Sequence, residues 1–144
     1  MGWWRRIRNF LGRTETDTAF VGRRGENAAA RHLRRCGLRI LDRNVVLPSG
    51  ELDLVCESDD ERLVILVEVK CRSADHANPA APPPEAAVDE EKKDKLATLA
   101  LELQRKHPHL RRPTRIDVIG VEVFAAGTWR ERTRLRHFPS AVRL

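Results

Sequence analysis

Apolar and polar positions follow two rhythms along this chain, and each change of rhythm marks an element. From residue 22 to residue 35 the apolar side chains return every three to four positions. Ala29, Leu33 and Cys36 form the inward stripe and Gly37 follows as a stop, which predicts a helix. Leu38 to Val46 predicts a strand and Pro48-Ser49-Gly50 a turn. Two further strands are predicted over 51–57 and 62–70, joined by Ser58-Asp59-Asp60-Glu61 as a hairpin tip. Val88 to His107 is the longest helical stretch, with Val88, Leu96, Leu99 and Leu103 as its buried stripe and Pro108 as its end. Strands over Arg115–Val123 and Thr128–Phe138 complete the order α-β-β-β-α-β-β, a mixed central sheet flanked by helices.

Three segments stand outside this pattern. Residues 1–11 spell a short basic amphipathic helix with Trp3, Ile7 and Phe10 or Leu11 on one stripe. A frayed terminus packing loosely on the domain is its commoner role, and contact with a membrane surface or a protein partner the rarer one. Thr14 to Val21 reads as a polar linker, so residues 1–21 form a basic N-terminal segment and 22–144 the folded domain. Residues 75–87 are rich in Pro and Ala and predict a mobile loop.

At 144 residues the chain suits one domain with a modest core. No apolar run approaches the roughly 20 residues of a membrane span, and arginines interrupt the apolar residues of 1–11, unlike a signal peptide. Cys36, Cys56 and Cys71 are odd in number and lack CxxC spacing. Cys36 and Cys56 read as small core residues of a cytoplasmic protein, and the scattered histidines make no zinc pattern. Net charge is +6, unevenly spread: 11 basic against 4 acidic residues in 1–50, 6 against 13 in 51–100, and 10 against 4 in 101–144. Basic flanks around an acidic centre suit a protein that attracts a polyanion and holds a cation, although an arginine-rich proteome explains the charge equally well.

The chemistry concentrates in Gly50-Glu51-Leu52-Asp53-Leu54 and Val67-Glu68-Val69-Lys70. Strand side chains alternate, so Glu68 and Lys70 leave one side of their strand, and Glu51 and Asp53 one side of theirs. A hairpin tip at Asp59-Asp60 sets Glu51 opposite Glu68, whereas a tip at Asp60-Glu61 sets Asp53 there. Two carboxylates about 5 Å apart repel by about 3 kcal/mol at an effective dielectric near 20. A divalent cation, a proton or the Lys70 ammonium relieves that repulsion. Carboxylates with a backbone carbonyl, here that of Val69, are ligands Mg²⁺ prefers. The bland alternative is a salt bridge of Glu68 with Lys70 or Arg72, and the matched parity of the two strands brings both readings level.

Together, Gly22-x-x-Gly25-Glu26-x-x-Ala29, Arg43-Asn44, Gly50-Glu51-Leu52-Asp53-Leu54, Val67-Glu68-Val69-Lys70-x-Arg72, Val88-x-x-x-Lys92 and Arg115-x-Asp117-Val118 resemble the YraN-type family of small bacterial proteins. The resemblance implies a restriction-endonuclease-like fold of the PD-(D/E)XK nuclease superfamily, similar to Holliday-junction resolvases. On it, Asp53, Glu68 and Lys70 fall on the catalytic positions and Glu26 on the acid of the first helix. It implies Mg²⁺ or Mn²⁺ held by Asp53, Glu68 and Val69, and a DNA or RNA substrate. Many relatives of that fold pair, which makes a homodimer one possible assembly, and residues 1–11 are the segment a protein partner would use in the rarer of their two roles. The chain departs from the family's usual pattern at Val46 and in the loop between Arg72 and Val88.

For nucleic-acid contact the expected residues are Arg72, Lys92, Arg130, Arg132 and Arg134. Arg130, Arg132, Arg134 and Arg136 alternate along the last strand and point one way over about 20 Å. A phosphate-tracking rail and a charged guard on an edge strand are equally good readings of them. Other roles compete elsewhere. An acid in the first turn of a helix, as Glu26 is predicted to be, favours the dipole. Lys92 and Lys93 are expected mainly on a solvated helix face, Arg115 and Asp117 as partners of each other, and Trp129 in the core. Two function classes follow: a Mg²⁺-dependent nuclease acting on structured nucleic acid, and an inactive nucleic-acid-binding or protein-interaction module on the same fold.

Overall fold

The computed structural model describes residues 15–75, 81–142 and 144. The expected helix over residues 1–11 lies outside these. Helix α1 (Glu15–Arg35) leads into strands β1 (Arg39–Leu47), β2 (Gly50–Glu57) and β3 (Val64–Ser73). Helix α2 (Glu90–Lys106) and strands β4 (Thr114–Phe124) and β5 (Arg132–Val142) follow. The sheet order is β1-β2-β3-β4-β5. All neighbours run antiparallel except β3 and β4, whose parallel pairing requires the crossover that α2 provides.

Each face of the sheet is covered by one helix, because strand alternation produces two apolar faces. Leu96, Leu99, Ala100 and Leu103 of α2 pack on Val45, Val55, Val64, Leu66 and Ile116. Ala28, Ala29, Ala30 and Leu33 of α1 pack on Leu54, Cys56, Ile65, Val67 and Ile119. The order α-β-β-β-α-β-β is therefore realised as a three-layer mixed α/β fold.

Several boundaries differ from expectation for identifiable reasons. The polar linker of 14–21 is helix from Glu15 onward. Val21 packs against the α1-side core and the Arg24 guanidinium lies 4.9 Å from the Phe20 ring centre, so this turn is anchored. Helix α1 ends at Gly37, φ +81°, where the Leu38 N–H reaches the Leu33 carbonyl and the Gly37 N–H that of Arg34, a Schellman cap. Cys36 is exposed just past the helix, not buried as expected; Cys56 is in the core. Of the loop expected to be mobile, Pro84–Ala87 form an ordered 3-10 turn with Pro84 buried. The last strand starts at Arg132, since the Thr128 N–H bonds the Ala125 carbonyl in a turn around Gly127. That turn pushes Trp129 outward to 87% exposure, against the core position expected of it.

At Gly25 α1 lies tight against the sheet: a Cβ there would overlap the Cys71 Sγ. Overpacking of this kind costs about 1–3 kcal/mol. Gly25→Ala is expected to lower stability by that amount in urea titration, and the double variant Gly25→Ala with Cys71→Ala to recover most of it.

Candidate active site

Hydrogen-bonded pairing between β2 and β3 runs from Glu57 with Val64 to Leu54 with Val67 and stops. Beyond that point β3 stays paired with β4 as far as Ser73, while β2 stays with β1 as far as Gly50. The two central strands part, and Asp53 is the first residue past the parting, in the register that sets it opposite Glu68. This is the alignment expected for a tip at Asp60-Glu61. Asp53 accepts the Val69 N–H on Oδ2 at 2.7 Å. In an extended strand a residue's N–H and C=O leave on the same side, so the Val69 carbonyl is also directed toward the parted strand.

Glu68 is 1% exposed and projects onto the α2 face. Its Oε1 lies 3.2 Å from the Lys70 Nζ and 3.2 Å from the Lys92 Nζ. Its Oε2 is buried and has no hydrogen-bond partner among the described residues. Lys92 overturns the expectation of a solvated helix face: it is 2% exposed and sits inside the cluster. Asp89 caps α2 by accepting the Lys92 N–H at 2.9 Å, and this start places Lys92 four residues before Leu96 on the inward stripe. A lysine where the helical period demands an apolar residue is a signal the sequence carried.

The electrostatics follow from the enclosure. Burial pushes the Asp53 carboxyl well above the usual carboxylate range; the charges of Glu68 and Glu26 add to this, while the Val69 N–H and Lys70 oppose it. Glu26, on α1, thus acts on the same cluster as Asp53. Burial also lowers the Lys92 ammonium, and Glu68 restores part of the shift. The Cys71 thiol, on the opposite side of β3, is pushed up to about 12 by burial and by Asp53, so it is no ready nucleophile. Fully ionised, the acids Glu26, Asp53 and Glu68 exceed Lys70 and Lys92 by one negative charge, which a proton on Asp53 or a bound cation removes.

This donor set fits a hard divalent cation: two carboxylates, one of them with a buried oxygen lacking a hydrogen-bond donor, and a carbonyl on the side of the parted strand. Asp53, Glu68 and Val69 would hold it. The structure therefore brings together Asp53, Glu68, Lys70 and Val69, with the Glu26 charge on α1 acting on Asp53, and adds Lys92 as a charge partner of Glu68.

The other basic residues are differently placed. Arg72 is held by Glu122, its Nε 3.2 Å from Oε1, and is not an open phosphate contact. Arg136 pairs with Glu85 and Glu122. Gly120 makes the Glu85 pairing possible, since a Cβ there would overlap the Glu85 carboxylate. Arg130, in the turn before β5, lies 4.6 Å from the Trp129 ring centre. Arg132 and Arg134 are exposed and lie over the Phe124 ring, at 4.6 and 5.8 Å. Arg115 pairs with Asp117, as expected, at 2.8 and 2.9 Å.

Fold and site thus define a mixed α/β protein, a five-stranded sheet between helices, with a buried carboxylate–lysine cluster where its central strands part. The chain belongs to the uncharacterised protein family UPF0102, whose family model matches residues 25–121. A UPF0102 protein of Mycobacterium sp. strain KMS is 36% identical over 117 residues, 81% of this chain and 84% of the relative. One of Pelotomaculum thermopropionicum is 36% identical over 121 residues, 84% and 93% of the two chains. One of Frankia casuarinae is 43% identical over 99 residues, 69% and 79%. Among solved structures, Pyrococcus furiosus SfsA in complex with Ca²⁺ aligns with a TM-score of 0.38 at 16% identity, covering 88% of this chain and 65% of that one. No described helix is long and apolar enough to cross a membrane.

The raised Asp53 pKa has a consequence for stability. In the unfolded chain Asp53 titrates near the ordinary carboxylate value. Its contribution to stability is therefore complete below that value and is lost as pH rises through the elevated value of the fold. In EDTA, Asp53→Asn is expected to flatten the pH dependence of the melting temperature. At neutral pH it should raise that temperature by roughly 2–4 °C for each kcal/mol relieved. A melting temperature lowered by Asp53→Asn at neutral pH contradicts this assignment.

Proposed function

We propose that this protein is a metal-dependent nuclease of the restriction-endonuclease-like fold, acting on structured DNA or RNA. The carrying observation is the convergence of Asp53, Glu68 and Lys70 at the parting of β2 and β3, with Glu68 Oε2 buried and lacking a hydrogen-bond partner among the described residues. Mg²⁺ or Mn²⁺ held by Asp53, Glu68 and the Val69 carbonyl would supply Lewis-acid stabilisation of charge at the scissile phosphate. Lys70, 14% exposed at its side chain, is the cation of the cluster nearest solvent. It orients the attacking water or neutralises the phosphate. Lys92, almost fully enclosed, holds the Glu68 carboxylate in place.

The substrate track in this reading is the basic row of β5. Lys70 is in register with Gly120 and Gly120 with Arg136, so Arg134 and Arg136 share the face of Glu68 two strands away, about 10 Å. Arg132 is its open member; Arg134, though exposed, has one guanidinium nitrogen 3.7 Å from Glu122 Oε2, and the Glu85 carboxylate takes the donors of Arg136 that a phosphate would otherwise use.

A second reading, a nucleic-acid-binding protein without turnover, draws on the two ammonium groups that already meet the Glu68 charge. One experiment separates the two. Branched, single-stranded and duplex substrates are incubated with the protein and Mg²⁺ or Mn²⁺. The nuclease reading expects cleavage that EDTA abolishes and that Lys70→Ala slows by about 10²–10³-fold. Binding without cleavage, unchanged by Asp53→Ala, marks the second reading instead. Either way, affinity is expected to fall with salt, and neutralising Arg132 and Arg134 to reduce the slope of log affinity against log salt by about 2 on duplex. A slope unchanged by those substitutions removes β5 from the track.

A further inference from the structure

On the α1 face of the sheet, opposite Glu68, three metal-ligating side chains meet. His32 Nε2 lies 3.1 Å from His137 Nδ1, and Cys36 Sγ lies 3.5 Å from the same His32 nitrogen. All three ligand atoms fall within 4.8 Å of one another. Zinc bonds of about 2.05 Å to nitrogen and 2.3 Å to sulfur put tetrahedral ligands about 3.3 Å (N to N) and 3.6 Å (N to S) apart. The two separations from His32 Nε2, 3.1 Å to nitrogen and 3.5 Å to sulfur, are close to these.

The surroundings prepare the ligands. The last turn of α1 carries on past Arg35, the Cys36 N–H donating to the His32 carbonyl at 3.0 Å, so the two residues share a face one turn apart. His137 Nε2 lies 2.8 Å from Asp117 Oδ2, which directs the ring hydrogen to the carboxylate and leaves the Nδ1 lone pair toward His32 and Cys36. Asp117, 0% exposed, is itself fixed by Arg115 and by the Ser140 N–H at 3.0 Å. Cys36 is exposed and both histidines are partly so, which leaves an entry path and room for a water as fourth ligand.

We propose that His32, Cys36 and His137 form a zinc site with Asp117 as its outer-shell orienter. Bound there, the metal ties the end of α1 to edge strand β5, a site separate from the carboxylate–lysine cluster.

The test uses the full chain with Zn²⁺, and with Co²⁺ as a spectroscopic probe. The expected result is an equivalent of Zn²⁺ by calorimetry that persists in Asp53→Asn, a melting temperature that rises with Zn²⁺, and a thiolate-to-Co²⁺ charge-transfer band. Cys36→Ser, at an exposed position, should abolish the band and weaken Zn²⁺ binding by at least about tenfold, and His32→Gln should weaken binding similarly. Asp53→Asn should leave both intact. Absence of the band in the wild type overturns the site. So does a band that persists in Cys36→Ser, or one lost in Asp53→Asn, which would place the metal beside Cys71.

Discussion

Where β2 leaves β3, the buried N–H of Val69 loses the carbonyl that a continued ladder would have given it, and the Asp53 carboxylate takes that place at 2.7 Å. A buried N–H without a partner costs about 1–3 kcal/mol, so the parting of the strands depends on this acceptor. The same contact holds Asp53 beside Glu68. Opening the sheet and assembling the site are therefore one event, carried by one side chain.

Burying Glu68 has consequences that spread outward. Its charge draws Lys70 from its own strand and Lys92 from across the core, and each ion is tolerable inside only because of the other. This fixes the first turn of α2 against β3 as firmly as the leucines behind it do. A second chain of charges, Arg72 to Glu122 to Arg136 to Glu85, ties the 3-10 turn at Pro84–Ala87 to the same face. The proposed active site is thus walled by ion pairs, where small changes in bound charge are felt most.

On the opposite face, Asp117 organises a different group. It is the buried acceptor of Arg115, the Ser140 N–H and His137, and through His137 it orders the groups at the end of α1. The irregularity in β4–β5 pairing between Ile116 and Val118 lies beside it, so the carboxylate satisfies the Ser140 N–H that a regular ladder would have paired. Two acids, Asp53 and Asp117, thus repair interruptions of the same sheet, and a cluster of functional groups gathers at each.

Element order, the two apolar faces and the convergence of Asp53 with Glu68 and Lys70 were legible along the chain, because periodicity and strand parity are local properties of the backbone. The register was narrowed to two choices, and tertiary structure selected the one in which Asp53 faces Glu68. Lys92 broke the stripe of α2, yet its direction depended on a buried charge in a different element. Trp129 and Cys36 were misplaced because a turn at Gly127 and a cap at Gly37 decide their exposure. Of the grouping of His32, Cys36 and His137 only the one-turn spacing of the first two is local: His137 lies 105 residues from His32 and joins them because α1 packs across β5. Sequence determined what each element is and which way its side chains alternate; only the packing of elements decided which charges and ligands would share a pocket.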